Sequence, residues 1–357
     1  MKRKSKALSS LAELLIPLIA LGILILFNLF RDPSFFGIRV AVNNAGNRVL
    51  TGNLISIIDS ASELAIIAMG MTMVTAACGG QDISVGAVGA ISGAVLVKIL
   101  QAFGAITGPS LIVAFIGACL ATILFKLFNG TLVAVFRIQP MIATLILFSC
   151  GRSIAYWING DATPQLASPI LSSIGMTIPG IPVPTPIFCV ILVGVLLALV
   201  FRFTNISLYT QSVGINQGAA RLNGINPVAI KLLSFALLGV CVSVASLIGI
   251  SRLGQLNHKT LLVDIEMDAI LAVAIGGNNL GGGKFKLSGS ILGAYIIQML
   301  TTTLYAMKVS PVNVKAYKAI VIIVIVVAGS PVVKEKIGAL MKRRSGGFHT
   351  AAGKGVR

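Results

Sequence analysis

Long apolar runs separated by short polar stretches dominate the chain. A membrane-spanning helix needs about 20 predominantly apolar residues, and the pattern predicts ten helices, the eighth of them short. We expect them at residues 11–30, 53–78, 83–103, 111–128, 141–157, 187–203, 228–250, 267–275, 288–307 and 317–333. The predicted fold class is all-α: a polytopic helical membrane protein with about ten transmembrane helices and glycine-interrupted segments.

Composition supports a membrane protein. The chain has 357 residues, of which 56% are hydrophobic and only 11% charged, whereas soluble domains carry about 25% charged residues. The formal net charge of +18 could suggest a nucleic-acid partner. In a membrane protein it is explained more simply by cytoplasmic loops rich in Lys and Arg, so we expect membrane lipid and no nucleic acid as a partner.

The basic residues also predict an orientation. With ten spans and both termini in the cytoplasm, 18 Lys and Arg residues fall inside and eight outside, which is the expected bias. This divides the chain into a basic N-terminus (1–10), a single transmembrane domain (11–333) and a basic cytoplasmic tail (334–357). We expect a proline-rich external loop at 159–186, largely extended because prolines interrupt helices. A second polar loop, at 204–227, is expected inside.

Residues for metal or catalytic chemistry are few. The five cysteines form no CxxC pair, and the chain has two histidines. The sequence therefore predicts no metal site, no catalytic residue and no disulfide framework. We expect His258, in a polar loop, to be solvated. Lys126 and Arg137 are expected to flank a cytoplasmic connection, and Lys98 and Arg152 to lie within helices.

The most polar interruption lies between the second and third helices, at 78–86, and reads Cys-Gly-Gly-Gln-Asp-Ile-Ser-Val-Gly. Glycine costs a helix about 1 kcal/mol relative to alanine, and an unpaired Asp at the bilayer centre costs about 3 kcal/mol. The chain is therefore expected to turn here, with the Asp82 carboxylate accepting hydrogen bonds that fix the turn. The stretch resembles the signature of ribose-type ABC importer permeases, usually Gly-Ile-Asp-Leu-Ser-Val-Gly. Asp82, Ser84, Val85 and Gly86 match that pattern, whereas Gln81 and Ile83 depart from it.

A second glycine-rich segment, 276–289, repeats part of this pattern with Asn278 and Asn279 in place of Gln81 and Asp82, and Gly283 in place of Gly86. Glycine-interrupted segments in two halves of a transporter point to broken helices around a transport path. The segment fails as a nucleotide-binding P-loop, which needs glycine at 278 and Ser or Thr at 285. The segment and the preceding 266–270 also resemble the ribose-type permeases. We predict a translocation path or signature turn at Asp82, Ser84, Gly86, Asn278, Asn279 and Gly283.

The loop 204–227 contains a short helix-permissive stretch at 217–222, between Gly214 and Gly224. It resembles the coupling loop of ABC permeases, Glu-Ala-Ala, three residues, then Gly. Ala219, Ala220 and Gly224 match that pattern, and Gly218 stands at the Glu position. Small residues would let a partner's groove approach the helix closely. We predict coupling to an ATPase through Gly214, Asn216, Ala219, Ala220, Arg221, Gly224 and Ile225.

The three motifs together resemble the membrane subunit of a bacterial ABC importer for a monosaccharide or similar polar solute, and look closest to galactofuranose- or ribose-type permeases. The resemblance implies a multi-pass protein of the bacterial inner (plasma) membrane that is not itself an enzyme. It also implies separate ABC ATPase subunits that bind the ATP, a second permease subunit, identical or different, and an extracytoplasmic solute-binding protein. The chain itself is expected to hold no cofactor.

Other functions stay open. A nucleoside or autoinducer ABC permease would carry the same motifs. An ion-coupled secondary carrier would depend on intramembrane acids such as Asp59, Glu63 or Asp82 and would need no coupling loop. Asp59 and Glu63 lie four residues apart on one helix face, where we favour a solvated helix entrance, with one acid protonated or paired with a loop arginine, over a substrate site. A membrane-embedded enzyme is disfavoured by the scarcity of histidine and of paired catalytic acids.

Overall fold

The structure is a computed structural model that describes residues 2–42, 48–166 and 168–329. The predicted basic tail at 334–357 and the last residues of the tenth predicted helix lie outside the described residues. The described elements are α1 (Lys2–Arg31), β1 (Arg39–Val42), β2 (Arg48–Thr51), α2 (Asn53–Cys78), α3 (Val85–Phe103), α4 (Gly108–Ala134), α5 (Pro140–Asn159), α6 (Pro169–Gly175), α7 (Thr185–Phe203), α8 (Ile206–Ile215), α9 (Gln217–Leu222), α10 (Pro227–Leu253), α11 (Ile265–Ile275), α12 (Leu287–Ala306) and α13 (Pro311–Gly329).

The chain is mostly helical, as predicted. Among the described residues, seven helices are long and apolar enough to cross a membrane: α2, α3, α4, α5, α7, α10 and α12. The predicted count of about ten is not confirmed by this measure. α11 has 11 residues, and the described apolar part of α1 is also short.

Most helix boundaries fall within a few residues of those predicted, and α2 begins and ends as predicted. It stops because Gly79 takes a left-handed conformation, φ 64°, and donates its N–H to the Thr75 carbonyl at 3.1 Å, a common helix end. α4 runs to Ala134, six residues beyond its predicted end. α8 was not predicted, because its sequence is too polar and too short to stand out as a span.

The segments expected to be irregular contain further structure. The segment 31–52, which lies between the first two predicted helices, holds an antiparallel hairpin, β1 with β2. Leu50 N–H donates to the Pro182 carbonyl at 2.8 Å. The expectation of a largely extended chain at 159–186 is wrong for α6. Pro169 begins this helix, in a position where proline is favoured because no backbone donor is needed there.

The centre of the bundle is α2, which packs against α7, α8, α10, α11 and α12. A Cβ on Gly70 would lie 2.9 Å from the Leu238 side chain and 3.1 Å from that of Cys241, so α2 and α10 approach closely. Thr72 and Ser290 hydroxyls lie 2.6 Å apart and join α2 to α12. Small residues and interhelical hydrogen bonds of this kind hold membrane helices together.

The outer faces of α4, α5 and α7 are apolar and exposed, with for example Ile191 and Leu192 exposed by 57% and 59%. Such faces suit a lipid environment. α10 has 27 residues and so spans about 40 Å. We call the end where it begins, next to α9, the α9 end, and the end where it finishes, next to α6, the α6 end.

Candidate functional site

The three predicted motifs meet at the α9 end. Gly283 N–H donates to the Ala76 carbonyl at 2.9 Å. A Cβ on Gly214 would lie 1.8 Å from that same carbonyl oxygen and 2.6 Å from the Gly283 nitrogen, and a Cβ on Gly282 would lie 2.9 Å from the Gly79 Cα. We call these four glycines, at 79, 214, 282 and 283, the glycine junction. The end of α2, the end of α8 and the loop after α11 contact one another there through backbone, with no room for side chains.

The two glycine-rich segments that resemble each other in sequence also lie side by side. Gln81 Nε2 donates to the Leu280 carbonyl at 3.0 Å. A Cβ on Gly79 would lie 2.8 Å from the Gly281 carbonyl oxygen. The segments 78–86 and 276–289 therefore form one contact region.

Asp82 is the centre of a buried polar network in the turn after α2. Its Oδ1 accepts hydrogen bonds from the Ser84 N–H at 2.8 Å and the Ser84 hydroxyl at 2.7 Å. Its Oδ2 accepts from Lys126 Nζ at 2.7 Å. Lys126 and Asn129 also donate to Ser84 Oγ, at 2.9 and 3.0 Å. The carboxylate thus accepts from a backbone amide and a hydroxyl, as predicted, and also ties the turn to α4.

The expectation that Lys126 flanks a cytoplasmic connection is wrong. The side chains of Lys126 and Asp82 are both fully buried. Lys126 lies eight residues, about two turns, before the end of α4, because the helix continues through Asn129 and Gly130 rather than ending before them. The available sequence signal was the presence of one acid and one base in neighbouring apolar segments, since charges at membrane depth usually pair.

Gly86 and Arg152 connect the bundle to the chain before α11. A Cβ on Gly86 would lie 2.5 Å from Glu266 Oε2 and 2.5 Å from the Leu262 carbonyl oxygen. Arg152 Nη1 donates to the His258 carbonyl at 2.7 Å. Gly86 therefore serves close packing against Glu266, which is buried, and Arg152 holds the loop 254–264. Sequence reasoning assigned no site role to Arg152 or Glu266.

The expectation that His258 is solvated is also wrong. It is 4% exposed, and its ring lies 5.6 Å from that of Tyr156, edge to face. Burial lowers the pKa of its imidazole, with a smaller contribution from Lys259. Burial disfavours the charged form of His258 because the imidazolium would lose its water.

The two asparagines predicted on a path differ in exposure. Asn278 is buried; its Nδ2 donates to Ser290 Oγ at 2.8 Å, and its Oδ1 accepts the Lys286 N–H at 2.7 Å. It fastens the glycine-rich loop to α12. Asn279 is exposed and accepts the Gly281 N–H at 3.1 Å. A role for either residue in translocation stays a prediction.

The predicted coupling helix is present as α9. Asn216 caps it by accepting the Ala219 N–H at 3.0 Å, and Ile225 N–H donates back to the Ala220 carbonyl at 3.0 Å. Asn216, Ala219, Arg221 and Gly224 are exposed, Ile225 is half-buried and Ala220 is buried. Leu222 is 91% exposed, which is unusual for a leucine on so short a helix. Gly214 packs inside the glycine junction, and its role in coupling stays a prediction.

Asp59 and Glu63 share an arginine at the α6 end. Arg252 Nη2 lies 3.2 Å from Asp59 Oδ1, and Arg252 Nη1 lies 3.7 Å from Glu63 Oε1. The predicted pairing with an arginine therefore occurs, although Arg252 belongs to the last turn of α10 rather than to a loop. Sequence reasoning missed this partner because it lies almost 200 residues along the chain.

No group of three or more His, Cys, Asp or Glu side chains that could hold a metal ion occurs within residues 2–42, 48–166 and 168–329. The ion pair of Lys259 with Asp161, at 2.8 Å, is largely exposed. This leaves the glycine junction, the Asp82 network and α9 as the candidate site.

Comparison with known proteins finds a matching family and several relatives. Residues 53–328 match the family described as branched-chain amino acid transport system / permease component. The chain is 36% identical over 313 residues to the galactofuranose transporter permease protein YtfT of Escherichia coli K12, covering 88% of each protein. It is 35% identical over 306 residues to the fructose import permease protein FruF of Bifidobacterium longum, covering 84% of this chain and 83% of that protein.

A further relative is the ribose import permease protein RbsC of Escherichia coli K12, 32% identical over 316 residues, which cover 87% of this chain and 91% of that protein. No solved structure matches the chain.

Proposed function

We propose, from the premise that this chain belongs to the family of permease components of branched-chain amino acid transport systems, that it is the membrane subunit of a bacterial ABC importer for a monosaccharide. Relatives covering more than four fifths of the chain are named as galactofuranose, fructose and ribose permeases. The observation that carries the mechanism is the glycine junction, where the helix preceding α9 touches the end of α2 and the second glycine-rich segment.

The junction offers a direct route for coupling. Closure of a pair of ATPases would push on α9, which presents exposed small residues and the exposed Leu222. α8 would move with α9, and Gly214 contacts the end of α2 and the loop after α11 without intervening side chains. A displacement of α8 would move the segments it contacts by a similar amount, because tightly packed protein interiors are nearly incompressible. The path would switch between outward-open and inward-open states.

The topology we propose has ten crossings, formed by α1, α2, α3, α4, α5, α7, α10, α11, α12 and α13, with both termini in the cytoplasm. α9 then lies inside and α6 outside. Moving Lys126 from the inside group into the membrane leaves 17 inside Lys and Arg residues against eight outside, which still supports this orientation.

The partners follow from the same proposal. Two ATPase subunits would dock on α9 and bind the ATP, a second permease subunit, identical or different, would complete the path, and an extracytoplasmic solute-binding protein would deliver the solute at the α6 end. The protein would lie in the inner membrane. Most of the specificity would belong to the binding protein, so the path need only be weakly polar.

The coupling role of α9 is tested by Ala219→Trp. Ala219 is exposed, so the bulky side chain should leave folding and membrane insertion intact while blocking a partner's groove. Gly224 is a poorer position, because its φ of 76° disfavours any side chain. The matched control is Ala102→Trp, an exposed alanine at the far end of α3, near the α6 end.

The measurement uses the permease reconstituted with its ATPase and binding protein, recording solute uptake and solute-stimulated ATP hydrolysis together. Ala219→Trp should lose uptake, with loss of the ATPase or of stimulated hydrolysis, whereas Ala102→Trp should behave as wild type. Normal uptake with normal stimulation in Ala219→Trp contradicts the coupling role of α9.

The rival function is an ion-coupled carrier that depends on acids within the membrane. Asp82 is engaged by Lys126, and Asp59 and Glu63 share Arg252, so each already has a basic partner that stabilises its charge. Purification of the chain from its native membrane separates the two functions. ATPase subunits that copurify support the importer, and a chain that transports without them supports the carrier.

A further inference from the structure

A second polar region lies at the α6 end, apart from the glycine junction. It is a cavity of about 330 Å³ between α2, α10, α11 and α12. Glu63, on its wall, lies ten residues into α2, or about 15 Å along the helix axis, so the cavity reaches well into the bundle. Its volume falls at the small end of the range for small-molecule sites, roughly 300–1,000 Å³.

Several side chains that can form hydrogen bonds line the cavity. Its polar walls come from Ser60, Glu63, Arg252, Thr260, Asp268 and Gln298. Glu63 Oε1 lies 3.7 Å from Arg252 Nη1, a distance too long for a hydrogen bond. The Arg252 Nε is buried without a hydrogen-bond partner. That atom is inaccessible to a ligand, whereas the Arg252 side chain as a whole is 26% exposed, so its remaining guanidinium donors can serve a ligand that supplies acceptors.

The charges around the cavity nearly cancel. Arg252 lies against Asp59 and Glu63, and Asp268 is paired with Lys318 at 2.7 Å. A strongly charged ligand would find groups of its own sign at short range, whereas a neutral ligand with many hydroxyls would donate to the carboxylates and accept from the guanidinium. Leucines at 64, 261 and 262 supply apolar wall for carbon-bound hydrogens.

We propose that this cavity binds a neutral polyhydroxylated solute, a monosaccharide, as it enters the bundle from the α6 end. The assignment rests on the proposed function and extends it, because it gives the permease a solute site of its own within a single chain. The position fits an entry site: the cavity is separated from α9 by most of the length of α10, so solute is held far from the coupling helix.

Two substitutions remove polar groups from the cavity: Gln298→Leu replaces an amide by an apolar group of similar size, and Ser60→Ala removes a hydroxyl. The matched control is Gln101→Leu, an exposed glutamine on α3 outside the cavity. The permease is reconstituted with its ATPase and binding protein, and uptake of radiolabelled D-ribose, D-fructose and D-galactose is measured together with ATP hydrolysis.

We expect Gln298→Leu to lower uptake per ATP hydrolysed about tenfold, and Ser60→Ala about threefold, since one hydrogen bond to a ligand is worth roughly this factor. Hydrolysis stimulated by the binding protein should persist, because α9 is untouched, and Gln101→Leu should match wild type. Uptake by both cavity variants equal to that of Gln101→Leu overturns the assignment. If Gln298→Leu does not assemble, Ser60→Ala decides alone, and its unchanged uptake overturns the assignment.

Failure of the proposed function is a separate result. A wild-type complex that takes up none of the three sugars contradicts monosaccharide import, and the cavity assignment, which rests on it, is overturned with it. Wild-type uptake that the cavity substitutions leave unchanged overturns only the cavity assignment.

Discussion

Asp82 and Lys126 form a fully buried ion pair, and replacing one of them should destabilise the protein strongly. Asp82→Ala removes the acceptor for Lys126 Nζ at 2.7 Å and for the Ser84 N–H and hydroxyl at 2.8 and 2.7 Å. The ammonium is left with Ser84 Oγ at 2.9 Å as its hydrogen-bond acceptor. Breaking a buried pair by removing one partner costs about 3–5 kcal/mol, because an uncompensated charge remains inside.

A double substitution separates the ion pair from the rest of the site. Asp82→Asn keeps an acceptor for Ser84, and Lys126→Met fills a similar volume without charge. The two together leave no uncompensated charge, so their combined cost should fall short of the sum of the single costs by about 2 kcal/mol or more, within the range found for coupled neighbours. Independent sites would instead give additive costs.

The assay is thermal unfolding of the purified permease in detergent, with assembly onto its ATPase measured in parallel. A loss of about 3–5 kcal/mol corresponds to a fall in Tm of roughly 4–7 °C for a chain of 357 residues. The control is the exposed pair of Asp161 and Lys259, for which Asp161→Asn should leave Tm unchanged. An Asp82→Ala protein that assembles and melts like wild type, and alters only the choice of solute, refutes the structural role of this carboxylate.

Two further predictions concern the glycine junction and the loop at the α6 end. Gly214→Val should prevent α8 from reaching α2, since a Cβ alone would lie 1.8 Å from the Ala76 carbonyl oxygen; size-exclusion chromatography should show misassembly, and normal assembly with normal transport contradicts the junction. Burial lowers the pKa of His258 in the folded protein. As the pH falls, the imidazole is therefore protonated in the unfolded chain before it is protonated in the folded one. The free energy of unfolding should fall as the pH drops below about 6.5, the ordinary pKa of histidine. Wild type should therefore lose more Tm than His258→Gln between about pH 7.5 and about pH 5.5, and equal losses would contradict the burial.

The sequence alone determined the class of the protein and most of its helices, because these depend on local properties. Runs of apolar residues set the spans, and the polar and glycine-rich interruptions set where they end. α2 was predicted with its observed bounds, and the short helix α9 was predicted between its flanking glycines. The hydrogen bonds that Asp82 accepts in the turn were also predictable, since a buried carboxylate must be satisfied.

The tertiary structure alone decided which distant segments meet. Lys126 pairs with Asp82, 44 residues away in the sequence. The sequence predicted that α4 ends at residue 128, six residues early, and placed Lys126 beside a cytoplasmic connection, so this pair was not predicted. Asn129 and Gly130 follow that predicted end. Both residues are nevertheless helical, since Gly130 packs against Phe235 and the Asn129 amide donates a hydrogen bond to Ser84 Oγ. Tertiary contacts that satisfy polar groups outweigh a local preference worth only about 1 kcal/mol.

The same reason explains the glycine junction and the cavity at the α6 end. Gly214 was predicted as a coupling residue that bounds the short helix, and only its position against Ala76 shows that the absence of a side chain there serves packing. Arg252 comes to lie between Asp59 and Glu63 because α2 and α10 pack along much of their length. Hydropathy and spacing show which side chains of a helix must be buried or hydrogen-bonded. Which distant residues make those contacts is decided only when the helices pack.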